Sequence, residues 1–240
     1  MGLAVTGFNA GGRVQAAIAN AAAATGVDFT YLMHQARVES GFDPDARART
    51  SSATGLYQFI EQSWLGVVDK HGDAHGLGWA ADAITRGSDG RYRVNDPATR
   101  AAILDLRRDP TAASAMAAEH ASDNRDLLET RLGRSVESVD LYLAHFLGAG
   151  GATKFLRGHD AAPDQNAAAL FPAAARANRG VFFARDGSAR SLAQVRERFA
   201  EKFEGDAASP APAEARVQFA HATRDNRAST GSALAEQGRA

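Results

Sequence analysis

Glu39-Ser40-Gly41-Phe42 and, further along the chain, Gly55-Leu56-Tyr57-Gln58-Phe59 are the two motifs on which the fold assignment depends. A polar segment from Asp45 to Ser52, preceded by Pro44, separates them and predicts a loop. The first motif closes a stretch with helical periodicity, and the second begins another apolar stretch. We therefore expect a helix, a loop and a second helix, with both motifs near the loop.

The first motif places an acidic residue on an apolar helix face. Apolar side chains recur at steps of three and four residues from Asp28 to Ser40: Phe29, Leu32, Met33 and Ala36. Asp28 or Thr30 can cap the first turn. Glu39 falls on the apolar stripe, where loss of hydration disfavours the charged form of a carboxyl group. Such a carboxyl can hold a proton and deliver it to a leaving oxygen, as a general acid does.

A second interpretation of Glu39 stays open from the sequence alone. A glutamate near a helix end often turns toward solvent or pairs with a nearby arginine, here Arg37 or Arg47. The second motif favours the catalytic interpretation. Gly55 is predicted to open a helix with Gln58 in its first turn, where the amide suits a sugar hydroxyl or N-acetyl group. Tyr57 offers a flat surface for a pyranose ring, whereas Phe59 is predicted to belong to the core.

The two motifs, joined by a proline-containing loop that ends Ser-Ser-Ala-Thr, resemble the lytic transglycosylases of the soluble-lytic-transglycosylase (SLT) family, relatives of goose-type lysozyme. A third family element, usually Ala-Tyr-Asn-X-Gly, corresponds here to Ala144-His145-Phe146-Leu147-Gly148, as in a branch found in phage and bacterial muralytic proteins. His145 thus replaces a tyrosine whose hydroxyl usually contacts the catalytic carboxyl or the sugar. The resemblance covers approximately residues 14–183.

The resemblance implies a mainly α, lysozyme-like domain that cleaves the β-1,4 bond between N-acetylmuramic acid (MurNAc) and N-acetylglucosamine (GlcNAc) in peptidoglycan. Glu39 would act first as general acid and then as base, leaving a 1,6-anhydro-MurNAc end without a cofactor, a metal or an enzyme nucleophile. The implied partner is the peptidoglycan glycan strand. A secretion or flagellar machine is a second expected partner, as a route to the wall. The candidate substrate-binding residues are Ser40, Thr50, Ser51, Tyr57, Gln58, Glu119, His145 and Phe146.

Two alternatives to a transglycosylase remain. A hydrolytic muramidase needs a second carboxylate to activate water, and Glu119 is the best candidate. It shares a predicted inward stripe with Met116, Asp123 and Leu127, although Asp123 is expected to pair with an arginine. The other alternative is a non-catalytic peptidoglycan-binding component of a secretion or flagellar assembly.

Composition restricts the classes of function. The chain has 240 residues, 27 Lys and Arg against 28 Asp and Glu, and no cysteine. A net charge of −1 without a basic stripe argues against nucleic-acid binding, and the lack of cysteine excludes thiol catalysis, disulfides and Cys-ligated zinc. His71 and His75 have the spacing of a helical metal pair, but the neighbouring glycines disfavour a helix and no third ligand is apparent, so we expect no metal.

The two ends of the chain carry separate expectations. Residues 1–20 lack the basic and apolar pattern of a signal peptide and instead begin a predicted amphipathic helix. The resemblance nevertheless implies action in the periplasm or cell envelope. We expect a lysozyme-like domain over residues 1–204, with a glycine-rich insertion between His71 and Asn95 and no membrane span. Residues 205–240 are rich in Ala, Pro and Ser and predict a flexible tail.

Overall fold

The structure, a computed structural model, describes residues 5–49 and 51–204. The long helices are α1 (Val5–Thr25), α2 (Phe29–Ser40), α3 (Glu61–His71), α6 (Pro110–Leu132), α7 (Ser138–Ala161) and α11 (Leu192–Glu204). Shorter ones are α4 (Gly78–Ala83), α5 (Pro97–Asp105), α8 (Ala167–Leu170), α9 (Pro172–Ala177) and α10 (Arg179–Phe182), and a single hairpin pairs β1 (Thr85–Arg86) with β2 (Tyr92–Arg93). The chain is mainly α, as predicted.

Helices α1 and α2 form where the apolar periodicity predicts them. The inward face of α1 consists of Val14, Ala17, Ile18 and Ala21, all buried as predicted. Asp28 caps α2, because its carboxylate accepts a hydrogen bond from the Tyr31 backbone N–H at 2.8 Å. The cap fixes where α2 starts and therefore which of its residues lie on the buried face.

Helix α6 runs through the centre of the domain and contacts α1, α2, α3 and α7. Pro110 begins it, as the sequence predicts, and the structure adds Asp109 as its N-cap. The buried face is dominated by alanine, including Ala113, Ala117 and Ala121. Small side chains allow the surrounding helices to approach the axis of α6 closely, so this helix is the frame against which the others are placed.

Helix α7 contains a break at Gly148, which has φ 73° and ψ 157°. That backbone conformation is accessible essentially only to glycine. The sequence predicts that Gly148 to Gly151 end the helix, but the structure shows that helix resumes directly after one non-helical residue. The first half of α7 carries the third motif, and the break sets its direction apart from that of the second half.

Helix α11 is attached to the start of α7 by a buried ion pair. Asp140 is 0% exposed, and its carboxylate accepts hydrogen bonds from Arg196 at 3.0 and 3.1 Å and from Arg134 at 3.4 Å. Arg196 also reaches Glu137 at 2.7 Å. A buried carboxylate is stable only when such partners replace its hydration, so the cluster fixes the end of α7 that leads into the third motif.

The insertion between His71 and Asn95 is ordered. It contains a 3-10 turn over Gly72–His75, helix α4 and the β1–β2 hairpin. The side chain of Gln62 on α3 exchanges two hydrogen bonds with the backbone of Tyr92, both at 3.0 Å. The predicted tail, residues 205–240, lies outside the described residues. Within residues 5–49 and 51–204, no helix combines the length and apolar character needed to cross a membrane.

Candidate active site

Glu39 lies in the last turn of α2 and is only 8% exposed. The apolar stripe that Leu32 and Ala36 form on α2 turns the glutamate inward, as the periodicity predicts. The solvent-exposed interpretation of this glutamate is therefore wrong.

The carboxyl group of Glu39 meets two side chains of α7. The Tyr142 hydroxyl donates a hydrogen bond to Oε1 at 3.3 Å, and Nε2 of His145 lies 3.4 Å from the same oxygen. Tyr142 and His145 are one helical turn apart, and their rings stack with centroids 6.1 Å apart. The α7 helix thus presents a hydroxyl and an imidazole to a single carboxyl oxygen.

Two tyrosines in this cluster keep their protons. Burial, and then the nearby Glu39 carboxylate, raises the pKa of Tyr142 well above its usual 10. The same two causes, in the same order, raise the pKa of Tyr31. Both phenols are therefore neutral hydrogen-bonding groups throughout the physiological range.

The loop around Gln58 differs from its prediction. Residues 55–58 form a turn, and α3 begins only at Glu61, so Gln58 is not in the first turn of a helix. Its backbone has φ 48°, and its buried amide donates hydrogen bonds to the carbonyls of Ala46 at 3.1 Å and Gly55 at 2.8 Å. The helix prediction failed because local backbone hydrogen bonds within the loop outweigh the apolar periodicity after Gly55. Gln58 holds the loop closed from within.

Ser40 joins this loop to the helix that carries the glutamate. Its hydroxyl lies 2.9 Å from the Ala36 carbonyl and 2.8 Å from the Leu56 carbonyl. Ser40 therefore fixes the backbone next to Glu39, which agrees with an orienting role. Ser51 is exposed and accepts a hydrogen bond from the Ala53 N–H at 3.3 Å, while Thr50 lies outside the described residues.

Two predicted substrate-binding aromatic side chains belong to the core. Tyr57 is 0% exposed, so its ring offers no face to a pyranose. Phe146 is buried between α10 and α11, with its ring 6.3 Å from that of Phe182 and 5.0 Å from that of Phe199. Both expectations are corrected for the same reason: these large apolar side chains are buried by helices distant in sequence. Phe59 is core, as predicted.

Arg107 supports the loop from the other side. Its guanidinium donates hydrogen bonds to the carbonyls of Ser52 at 2.8 Å and Phe59 at 3.0 Å, and its Nε to that of Leu104 at 2.8 Å. The backbone of Arg107 also packs directly against Gly55: a Cβ added to Gly55 would lie 1.8 Å from the Arg107 carbonyl oxygen. The side chain of Arg107 therefore holds the loop in place, and the close approach of the Arg107 backbone requires glycine at position 55.

Glu119 contacts two histidines. Its carboxylate lies 2.7 Å from Nε2 of His75 and 3.3 Å from Nδ1 of His71, while Asp123 pairs with His71 at 3.0 Å and with Lys70 at 2.7 Å. Asp123 therefore pairs with these residues of α3 rather than with the arginine expected from the sequence. The network joins α6 to α3 and to the turn that follows it. Among the residues that the structure describes, no group of histidine and acidic side chains is suited to hold a metal ion.

His120 lies close to this network and to His145. Its ring makes an edge contact with Phe59, with centroids 6.0 Å apart. Burial, and then repulsion from His145, lowers the pKa of His120 from 6.5 to about 4. His120 is therefore neutral near pH 7, and protonating it would destabilise the folded domain.

The free energy of unfolding is expected to fall as the pH drops from about 6.5 to about 4. In this window the unfolded chain binds a proton at His120 that the folded chain does not, which costs at most about 3 kcal/mol. Urea unfolding at several pH values, compared with a His120→Gln variant, measures this. Between these pH limits, the free energy of unfolding should fall more steeply with decreasing pH in the wild type than in the variant. Parallel curves would contradict the assignment.

The sequence interpretation missed Tyr142, His120 and Arg107. Tyr142 had a detectable signal, because it precedes His145 by three residues and so shares its helix face. His120 and Arg107 had none. Their roles depend on contacts between segments far apart along the chain.

Residues 16–73 match the family model described as the transglycosylase SLT domain. The matched segment extends from within α1 to just beyond α3 and contains Glu39, Ser40 and the Gln58 loop. It supports the assignment of a lysozyme-like helical domain of the SLT type at that part of the chain. The half of the site that α6 and α7 contribute, including Tyr142 and His145, lies beyond it.

Proposed function

We propose that this protein is a peptidoglycan lytic transglycosylase whose single catalytic acid is Glu39. The observation that carries the proposal is the buried Glu39 carboxyl, which lies at the end of α2 within 3.4 Å of both the Tyr142 hydroxyl and the His145 imidazole. Its position inside the segment that matches the transglycosylase SLT domain supplies the substrate class.

The proposed reaction uses Glu39 twice. In its acid form the carboxyl protonates the glycosidic oxygen between MurNAc and GlcNAc, and the bond from that oxygen to the MurNAc C1 breaks. The N-acetyl group of the substrate stabilises the positive charge at C1. The Glu39 carboxylate then removes the proton of the MurNAc C6 hydroxyl as that oxygen bonds to C1. The products are a free GlcNAc hydroxyl and a 1,6-anhydro-MurNAc end, and Glu39 regains its proton without consuming water.

The surroundings of Glu39 suit this cycle. Ser40 and the loop braced by Arg107 and Gln58 fix the backbone on one side of the carboxyl, and α7 fixes the other. A catalytic group held in this way needs little reorganisation when the bond breaks. Glu119 already contacts two imidazoles, which favours a structural role for it over activation of a water molecule.

Product analysis tests the proposal. Purified protein incubated with isolated sacculi is expected to release soluble fragments, and mass spectrometry should find 1,6-anhydro-MurNAc ends, each lighter by one water than a reducing end. The anhydro ends follow from attack by the C6 hydroxyl. Fragments that carry only reducing ends would overturn the transglycosylase proposal in favour of hydrolysis.

The proposed substrate also determines where the protein acts. Peptidoglycan lies outside the cytoplasmic membrane, so we infer action in the periplasm or cell envelope. A secretion or flagellar machine that must pass through the wall is a proposed partner on the same ground. Fractionation of cells that produce the full chain, with detection of the protein in the envelope fraction, tests this placement.

A further inference from the structure

A hydroxyl donor and an imidazole nitrogen from α7 converge on one oxygen of Glu39. The Tyr142 hydroxyl and the His145 Nε2 both face Oε1, at 3.3 and 3.4 Å. They differ in one chemical respect: a phenol remains neutral, whereas an imidazole can gain or lose a proton near neutral pH. The third motif therefore brings a titratable group to the catalytic carboxyl, and the tyrosine one turn earlier provides the neutral hydroxyl contact.

We propose that His145 is the charge partner of Glu39, so that the carboxyl and the imidazole share one proton between Oε1 and Nε2, while Tyr142 positions the same oxygen. This inference rests on the proposed function, because it assigns His145 to the acid–base group and not to sugar binding. His145 is then a positioning residue that acts through Glu39.

The proton count of the pair is consistent with the proposed reaction. With one shared proton, the pair is either a carboxylic acid beside a neutral imidazole or a carboxylate beside an imidazolium, and both forms have zero net charge. Only the first form donates to the glycosidic oxygen. Moving the proton from Nε2 to Oε1 generates the acid without drawing a proton from solvent. Contacts of this kind are often slightly long before substrate binds.

The side chains that surround His145 come from four helices. Toward this cluster, α2 contributes Glu39 and Tyr31, α6 contributes His120, α7 contributes Tyr142, and α11 contributes the apolar ring of Phe199, which packs on Tyr142. Burial and the repulsion from His145 keep His120 neutral above pH 5, since its pKa is lowered to about 4. The tyrosines keep their protons.

The first test needs no activity. Ring-labelled histidine NMR follows the titration of His145 in the wild type and in Glu39→Gln, which is isosteric and can still accept the Tyr142 hydrogen bond. Loss of the carboxylate removes an opposite charge, so the His145 midpoint should move to lower pH by about one unit or more. His159, whose carboxylate neighbour is Asp160, serves as the internal control and should not move. An unchanged His145 midpoint overturns the proposal.

The second test uses the pH profile of glycan release. In His145→Gln, the fall of kcat/KM at alkaline pH is expected to occur about one pH unit lower than in the wild type. The reason is that the imidazole no longer helps Glu39 to hold the shared proton. His145→Tyr restores a neutral hydroxyl and should recover the rate at acidic pH but not the wild-type alkaline limb. A uniform loss at every pH, with an unchanged profile, indicates a purely structural role and overturns the proposal. A wild type that releases nothing refutes the proposed function, and the NMR comparison still decides the pairing.

Discussion

Glu39→Gln is expected to reduce the release of soluble glycan fragments from sacculi by on the order of 10³-fold or more. The amide cannot donate the proton that the leaving oxygen requires, and it cannot later accept the proton of the C6 hydroxyl. One substitution thus removes both the acid and the base of the proposed reaction. Initial rates of fragment release at matched protein concentrations measure the effect.

The same substitution should leave the fold intact. Glutamine has the shape of glutamate, and its carbonyl oxygen can accept the hydrogen bond that Tyr142 donates to Oε1. We therefore expect thermal unfolding of Glu39→Gln within a few degrees of the wild type, so that lost activity is not lost structure.

Glu119→Gln is the matched control. It makes the same chemical change at the other half-buried glutamate considered for catalysis, which contacts His71 and His75. If one acid suffices, this variant keeps activity within a few-fold of the wild type. Loss of activity in Glu119→Gln equal to that in Glu39→Gln would support a two-carboxylate hydrolase. Wild-type activity in Glu39→Gln would show that Glu39 is not the catalytic acid.

Gly55→Ala is expected to cause the largest loss of stability among simple loop substitutions. The added methyl group would lie 1.8 Å from the Arg107 carbonyl oxygen and 2.7 Å from its carbonyl carbon, and both are backbone atoms. The backbone at Gly55 also has φ 82°, which disfavours any side chain by about 1 to 2 kcal/mol. The loop must move away from Arg107, so we expect a total cost above about 4 kcal/mol.

Gly187→Ala separates the two causes. Gly187 has φ 86°, but a Cβ there would have no neighbour within 4 Å. This variant should lose only the conformational part, about 1 to 2 kcal/mol. Urea unfolding of both variants measures the difference. Equal losses would show that the contact with Arg107 is not what requires glycine at position 55.

The helical frame could be predicted from the sequence because its signals are local. Asp28 caps α2, Pro110 opens α6, and the apolar stripe of α1 is buried as the periodicity indicates. The prediction around Gln58 failed because side chains within a loop can form hydrogen bonds with the loop's own backbone carbonyls, and apolar periodicity does not reveal such bonds. Apolar periodicity reports only which face of a single segment avoids water. The conformation of this loop depends instead on hydrogen bonds to its own carbonyl groups and on contacts with Arg107.

The site was predictable only in part. The inward position of Glu39 could be predicted because its helix has an apolar stripe, and the closeness of Ser40 because it is the next residue. Tyr57 and Phe146 were assigned to sugar binding, since a sequence does not show which aromatic rings distant helices will cover. The partners of Glu39 come from α7, about a hundred residues away, and their convergence on one oxygen is a property of tertiary packing.

The single non-helical residue in α7 has a consequence for how such a domain can diversify. Gly148 separates the turn that carries Tyr142 and His145 from the second half of the helix. Changes of tilt or length beyond the break need not be transmitted to the catalytic turn. Residues 149–161 can therefore vary while the geometry around Glu39 is kept, provided that α11 retains its contacts with Asp140 and Tyr142. Gly148 itself does not tolerate a side chain easily, because its backbone conformation is essentially restricted to glycine.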